Sequence, residues 1–382
     1  DIAQCLVGSE MCIRDSLFQM KVLRVQLQNF RNYTDQTVEF GDGINLITGK
    51  NAQGKTNLLE SVLMLCVGKS VRARDRDLIM SGQERARISM LAQKTGGTVR
   101  TEMILSRGEN KRILFNGVPL LRTGELLGNV AAIYFQPDDL SLIKDAPESR
   151  RRFLDMDLSQ VYKSYFYALT RYNKALLSRN NLLKQGYGRD VTDMLFPYDV
   201  QLCREGAVII ARRREYLARL VTEARRVHAR LTDGEEELDF SYATRIPAEG
   251  DPEQLLAEAL KAALEKDMKL KFTTVGPHRD DIRITANGID LRVQGSQGQQ
   301  RTAALSLKLA ELSLFREIGG EVPILLLDDV LSELDNDRAR RLLELCAGSQ
   351  SLITAAAVDP ALFEGLPVTR FRVRGGQVSR ED

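Results

Sequence analysis

The residues that could do chemistry are concentrated in a short glycine-rich segment. Gly49-Lys50-Asn51-Ala52-Gln53-Gly54-Lys55-Thr56 fits the pattern G-x-x-x-x-G-K-[ST]. Glycines at its two ends let the backbone wrap closely, so that amide N–H groups converge on phosphate oxygens, and a helix beginning there adds the positive end of its dipole. Lys55 supplies a point charge for β- and γ-phosphates, and Thr56 offers a hydroxyl to a magnesium ion. A chance Gly-Lys-Thr loop would satisfy the same string. Context decides between the two readings, because Ile44–Thr48 reads as a strand and Thr56–Leu65 as a helical run.

Two further segments belong to the same chemistry. Ile324-Leu325-Leu326-Leu327 is an apolar run that ends in Asp328-Asp329. In phosphate-loop enzymes the first acid orients magnesium, and the second is placed to polarise an attacking water. An Asp-Asp turn after a strand is common in its own right, so the pair gains meaning only beside the phosphate loop. Upstream of it, Gly295-Ser296-Gln297-Gly298-Gln299-Gln300 precedes a long apolar helix, Arg301–Ile318. Ser296, Gly298 and Gln299 could form a second anion site at a helix N-terminus, or only a flexible cap. The order is that of the ABC class of ATPases, in which this signature covers the γ-phosphate held by another subunit. Leu331-Ser332-Glu333-Leu334-Asp335 then resembles the D-loop of that class.

The elements that must hold these groups can be read from hydrophobic period. Leu23, Val25 and Leu27 alternate with polar residues, and strand-like stretches recur at Ala86–Ala92, Thr98–Leu105 and Lys111–Phe115. Asn116-Gly117 and Asn287-Gly288 are two-residue hairpin signals. Leu238–Tyr242, Ile282–Thr285 and Ile289–Val293 read as strands, Ser351–Thr354 as a buried strand and Thr369–Val373 as a sheet edge. Breaks between helices are expected at Gly186–Gly188 and Pro247–Pro252. The expected architecture is α/β, an ABC-type P-loop ATPase head with a mixed sheet plus a mainly helical inserted lobe. Residues 20–137 would form the first part of the ATPase lobe, 138–271 the insertion and 272–382 its return. Residues 1–19 carry no signal-peptide pattern, and Met20 opens a clean strand; the segment before it is expected to be a non-native leader.

The sequence closely resembles the RecF family of ATPases. The resemblance rests on Asn29-Phe30-Arg31-Asn32-Tyr33, Lys69-Ser70-Val71-Arg72 and Phe135-Gln136-Pro137-Asp138-Asp139-Leu140. It continues, in order, through Arg151-Arg152-Phe153-Leu154-Asp155, Gly276-Pro277-His278-Arg279-Asp280-Asp281 and Ser296–Thr302. It implies that Gln136 touches magnesium and senses the γ-phosphate. It also implies an ATP-dependent homodimer on duplex or gapped DNA, RecR as a partner, and a role in loading recombinase during repair. Asp329 stands where transporters carry Glu, which suggests slow, DNA-stimulated hydrolysis. The switch segment Ala355-Ala356-Ala357-Val358-Asp359 lacks the His of transporters, so Asp359 is assigned as the switch acid on position alone.

Charge supports a polyanionic partner. The net charge is +2, but between Arg150 and Arg230 there are 17 Lys and Arg against 8 Asp and Glu. Arg150–Arg152, Arg212–Arg214 and Arg225-Arg226 are candidate phosphate contacts, although any one cluster could equally be a solvated helix face. Aromatics make up 6% and tryptophan is absent, which argues against a stacking platform for single strands. His228 reads as a surface residue among arginines; His278 could be functional or hold a turn. Five scattered cysteines and two histidines exclude a zinc cluster and suit a reducing, cytoplasmic setting. No apolar run approaches the ~18 residues of a membrane span. A long-armed Rad50 or SMC head would need heptads that this length lacks. The remaining alternatives are another DNA-associated ABC-type ATPase and a DNA clamp that binds ATP with negligible turnover.

Overall fold

The computed structural model describes residues 19–185, 191–346 and 348–381. They divide into two compact units, the first formed by residues up to 139 and from 308 onward, the second by residues 140–307. Most of the expected leader, and the expected break at Gly186–Gly188, lie outside the described residues.

The first unit opens with β1 (Lys21–Phe30), β2 (Tyr33–Glu39), β3 (Ile44–Thr48) and α1 (Lys55–Val67). β4 (Arg85–Lys94), β5 (Gly97–Ser106), β6 (Arg112–Phe115), β7 (Val118–Pro119) and β8 (Ala132–Phe135) follow. The second unit holds α2 (Pro147–Val161), α3 (Lys163–Gln185), α4 (Val191–Leu231), β9 (Leu238–Ala243), α5 (Pro252–Leu270), β10 (Asp281–Ala286) and β11 (Ile289–Asp290). α6 (Gln297–Gly319) begins there, and the chain returns through β12 (Ile324–Asp328), α7 (Asn336–Cys346), β13 (Ser351–Ala355), β14 (Val368–Arg374) and β15 (Gln377–Glu381).

Two six-stranded sheets build the first unit. One runs β2-β1-β4-β5-β6-β7 and is antiparallel; the other runs β15-β14-β3-β13-β12-β8 and is parallel except at the β14–β15 pair. β12 and β13 are buried at every position, as central parallel strands are, with Asp328, Ser351 and Thr354 the polar residues among them. α1 explains how the sheets share one core. From Leu58 to Val67 every side chain is buried, and the helix touches β4 and β5 of one sheet and β8, β12 and β13 of the other. A helix buried all round has no face for water, and its one buried acid, Glu60, is paired with Arg31.

Several strands depart from the expected pattern. Thr369–Val373 is not an edge: β14 lies between β3 and β15. The missed signal is Gly375-Gly376, whose φ angles of 55° and 77° make the tight turn that lets β15 fold back. The strand expected over Ile289–Val293 stops at Asp290, whose carboxylate caps a single helical turn, Leu291–Gln294, by accepting from the Arg292 N–H at 3.0 Å. β8 is four residues long and carries no alternation, yet it pairs with β12 and so places Gln136 next to the end of the central sheet.

In the second unit β10 pairs with β9 on one side and β11 on the other. That sheet makes the unit more than a helical insertion and carries it beyond residue 271. Among the described residues, no helix is long and apolar enough to cross a membrane.

Candidate nucleotide site

The loop between β3 and α1 has the conformation that phosphate binding asks of it. Gly49 and Gly54 hold φ angles of 154° and 118°. A Cβ at Gly49 would come within 2.4 Å of the Val373 carbonyl oxygen, and one at Gly54 within 2.6 Å of Asn32 Nδ2. Glycine is therefore demanded at both places by conformation and by space.

The loop is braced by residues outside it. Asn32 Nδ2 donates to the Gln53 carbonyl at 2.7 Å, and the Tyr33 hydroxyl donates to the Gly54 carbonyl at 2.9 Å. Gly375 N–H donates to Gln53 Oε1 at 2.7 Å. Beside this brace, Arg31 forks onto Glu60 of α1, which is 1% exposed, and Ser70 Oγ donates to the same carboxylate at 2.5 Å. The Asn29–Tyr33 and Lys69–Arg72 segments thus act through the loop's framework, which no spacing argument could have revealed.

Lys55 is buried and folds back on its own loop, donating to the carbonyls of Gly49 at 2.7 Å and Lys50 at 3.1 Å. Burial lowers its pKa from 10.5, an effect that Asp329 and Asp328 oppose. Asp328, 5% exposed, collects three hydroxyls: Thr56 Oγ1 and Thr354 Oγ1 donate to Oδ1 at 2.8 Å each, and Tyr134 OH donates to Oδ2 at 2.9 Å. The nearby carboxylate raises the Tyr134 pKa further above the level set by burial, so the phenol stays a donor. Asp329 occupies the left-handed region at φ 54°, with its N–H on Thr354 Oγ1 at 3.0 Å. Its Oδ1 is buried with no hydrogen-bond partner. The Thr56 hydroxyl and the Asp328 carboxylate form an oxygen donor pair that suits a hard divalent cation. Gln136 follows β8 directly, half-buried, with its N–H on Asp139 Oδ2 at 2.9 Å.

Ser296 and Gln299 form a reciprocal cap at the start of α6. The Gln299 N–H donates to Ser296 Oγ at 3.2 Å, and the Ser296 N–H donates to Gln299 Oε1 at 3.0 Å. Ser296 is exposed, and Gly298 lies in the first turn beside it. Asp359 is exposed and caps the short turn Pro360–Phe363 by accepting from the Ala361 N–H at 3.0 Å.

The arginines of the second unit divide sharply. Arg150 is 1% exposed and pairs with Asp281 through Nε at 2.7 Å and Nη2 at 2.9 Å. Arg213, 2% exposed, reaches Asp155 at 2.7 Å and the Pro277 carbonyl at 2.7 Å. Arg214 donates to the carbonyls of Ile246 and Pro247. These side chains hold the unit together and are withdrawn from the candidate phosphate contacts. Arg152 and Arg226 remain exposed on the surface. The motifs around Arg151–Asp155 and Gly276–Asp281 interlock through these bonds, with Tyr242 OH on Asp280 Oδ2 at 2.6 Å.

His278 joins that interior: Tyr172 OH meets Nδ1 at 2.7 Å and Nε2 donates to the Thr273 carbonyl at 3.0 Å, a turn-holding role. His228 is not a surface residue. It is fully buried on α4, where the neighbouring arginines point outward and the imidazole points in.

Comparisons with known proteins bear on the family of the whole chain. A family model described as an AAA domain matches residues 24–184. The DNA replication and repair protein RecF of Lachnoclostridium phytofermentans is 41% identical over 364 residues, covering 94% of this chain and all of that one. RecF of Clostridium acetobutylicum is 38% identical over 362 residues, covering 94% and 99%. A solved structure of the recombination mediator protein RecF with ATP, in the RecFOR pathway, superposes with a TM-score of 0.86 at 37% identity, covering 96% and 98%. The Smc head domain of Pyrococcus furiosus, at 15% identity and a TM-score of 0.55, shares the fold alone. On the strength of this identity over nearly its whole length, the chain belongs to the RecF family.

Proposed function

We infer that this chain is an ATP-switched DNA-repair protein: ATP closes a homodimer on duplex or gapped DNA, and slow, DNA-stimulated hydrolysis releases it. The observation that supports the reading most is the cluster of Lys55, Thr56, Asp328 and Asp329 on one braced loop and one strand end. Lys55 exchanges two carbonyl acceptors for the β- and γ-phosphate oxygens. The amides of Gly49, Lys50, Asn51, Ala52, Gln53 and Gly54 line the phosphates. Magnesium, held by Thr56, Asp328 and Gln136, would neutralise charge that develops on the phosphates. Asp329 orients the attacking water, its orphaned oxygen being free to accept that proton. Ser296, Gly298 and Gln299 serve the ATP of the partner chain, so neither chain completes a site alone. The relatives' names, with replication, repair and the RecFOR pathway in them, support work in recombinational repair with RecR as a partner. ATP-dependent binding to gapped duplex, measured with and without a RecR-like partner, tests the reading. Retention that is the same with ATP, with ADP and with no nucleotide would overturn it.

A further inference from the structure

A buried chain of hydrogen bonds runs from α4 to the signature turn. On α4, His228 is fully buried; its Nδ1 meets Ser306 Oγ of α6 at 2.9 Å and its Nε2 meets Glu236 Oε2 at 3.2 Å. Glu236 lies in the link from α4 to β9, and its other oxygen accepts from Gln299 Nε2 at 2.8 Å. Gln299 Oε1 in turn accepts from the Ser296 N–H. All five residues belong to the second unit.

Donor and acceptor roles fix the direction of this chain. An ionised carboxylate only accepts, so the amide nitrogen of Gln299 must face Glu236 and its oxygen must face the Ser296 N–H. Burial lowers the pKa of His228, against the pull of the Glu236 carboxylate. Its Nε2 faces Glu236, and Ser306 Oγ lies against Nδ1 while giving its own proton to the Thr302 carbonyl at 2.7 Å. Glu236 therefore selects one of the two orientations of Gln299. In the other orientation an N–H would face the Ser296 N–H, and the reciprocal cap would break.

The geometry points to Glu236, seated by His228, as a positioning residue that locks Gln299 and hence Ser296 in the conformation presented to the partner chain's nucleotide. The inference rests on the composite-site reading above. It makes the long helix α4 part of the apparatus that shapes the signature, so a strain on α4 would reach the dimer interface through His228.

The test is a double-mutant cycle on ATP-driven dimerisation, read by sedimentation under non-hydrolysing conditions. Glu236→Ala should weaken the ATP-dependent dimer about tenfold, the loss expected for one hydrogen bond to a charged group. It should leave ATP affinity of the monomer unchanged, because Lys55 lies in the other unit. In a Gln299→Ala background the same substitution should have no further effect, since the group it orients is gone. Additive losses, or a Glu236→Ala dimer of wild-type strength, would overturn the inference. Should Glu236→Ala lower the melting temperature too far for the assay, Glu236→Asp, which keeps the charge on a shorter arm, should show the same non-additivity. A wild-type chain that stays monomeric with ATP would instead defeat the composite-site reading itself, which separates the two failures.

Discussion

Charge is buried in both units, but it is treated in opposite ways. At the phosphate loop Lys55 rests on neutral carbonyls and Asp329 keeps an oxygen with no partner. In the second unit the buried guanidiniums of Arg150, Arg179 and Arg213 each face a carboxylate at 2.7 Å or less. Burying polar atoms without partners costs free energy, so the first arrangement persists where a ligand completes it. In the second each buried guanidinium meets a carboxylate of its own unit, although Nη2 of Arg179 is buried with no hydrogen-bond partner. Buried charge held by backbone carbonyls lies at the candidate site; buried charge paired directly with carboxylates lies in the second unit.

That contrast predicts opposite outcomes for removing a buried cation. Arg179 is wholly buried between Asp199 and Asp267, the latter also wholly buried. Arg179→Ala should destabilise the fold by about 3–5 kcal/mol, the cost of leaving a buried charge unpaired, as read by denaturant unfolding. Lys55→Ala should leave that unfolding curve close to wild type yet weaken ATP binding by about a hundredfold, since charge-assisted contacts to the phosphates are lost. If calorimetry shows ATP affinity unchanged, the loop is not the phosphate site. Asp329→Asn should keep ATP binding and slow single-turnover hydrolysis by about 10² or more, the usual worth of a general base. A wild-type rate would assign the work to another acid.

The smallest effect concerns pH. Burial lowers the His278 pKa to about 4 in the folded chain, against 6.5 for an unperturbed imidazole. The unfolded chain therefore takes up a proton first. Stability from this group is complete above pH 6.5 and declines as pH falls toward 4, by roughly 1 kcal/mol per pH unit. His278→Gln should flatten that part of the stability profile. An unaltered slope would show that other groups set it.

The conformation of the Gly49–Thr56 loop was legible because backbone geometry dictates residue type there: positive φ and close approach call for Gly49 and Gly54, and spacing puts Lys55 and Thr56 at a helix start. Most strands were legible from alternation, and the buried helix α1 from its apolar surface. Burial of ions was not. A run such as Arg212-Arg213-Arg214 carries no mark that Arg213 turns inward toward Asp155, because its partner is 58 residues away. His228 was misread for the same reason, since its partner Ser306 is 78 residues away on another helix. β8 was missed because its four residues are buried at every position and leave no polar residue to alternate with.

In the proposed dimer the Lys55 loop of one chain and the Ser296 turn of another share one ATP. Sedimentation of Lys55→Ala and Ser296→Arg chains, alone and mixed, with ATP under non-hydrolysing conditions, tests it directly. Each variant alone should remain monomeric. The mixture should form a weak heterodimer, because the loop of the Ser296→Arg chain and the turn of the Lys55→Ala chain are both intact. Normal self-association of Ser296→Arg with ATP would contradict the claim and leave the turn as a helix cap.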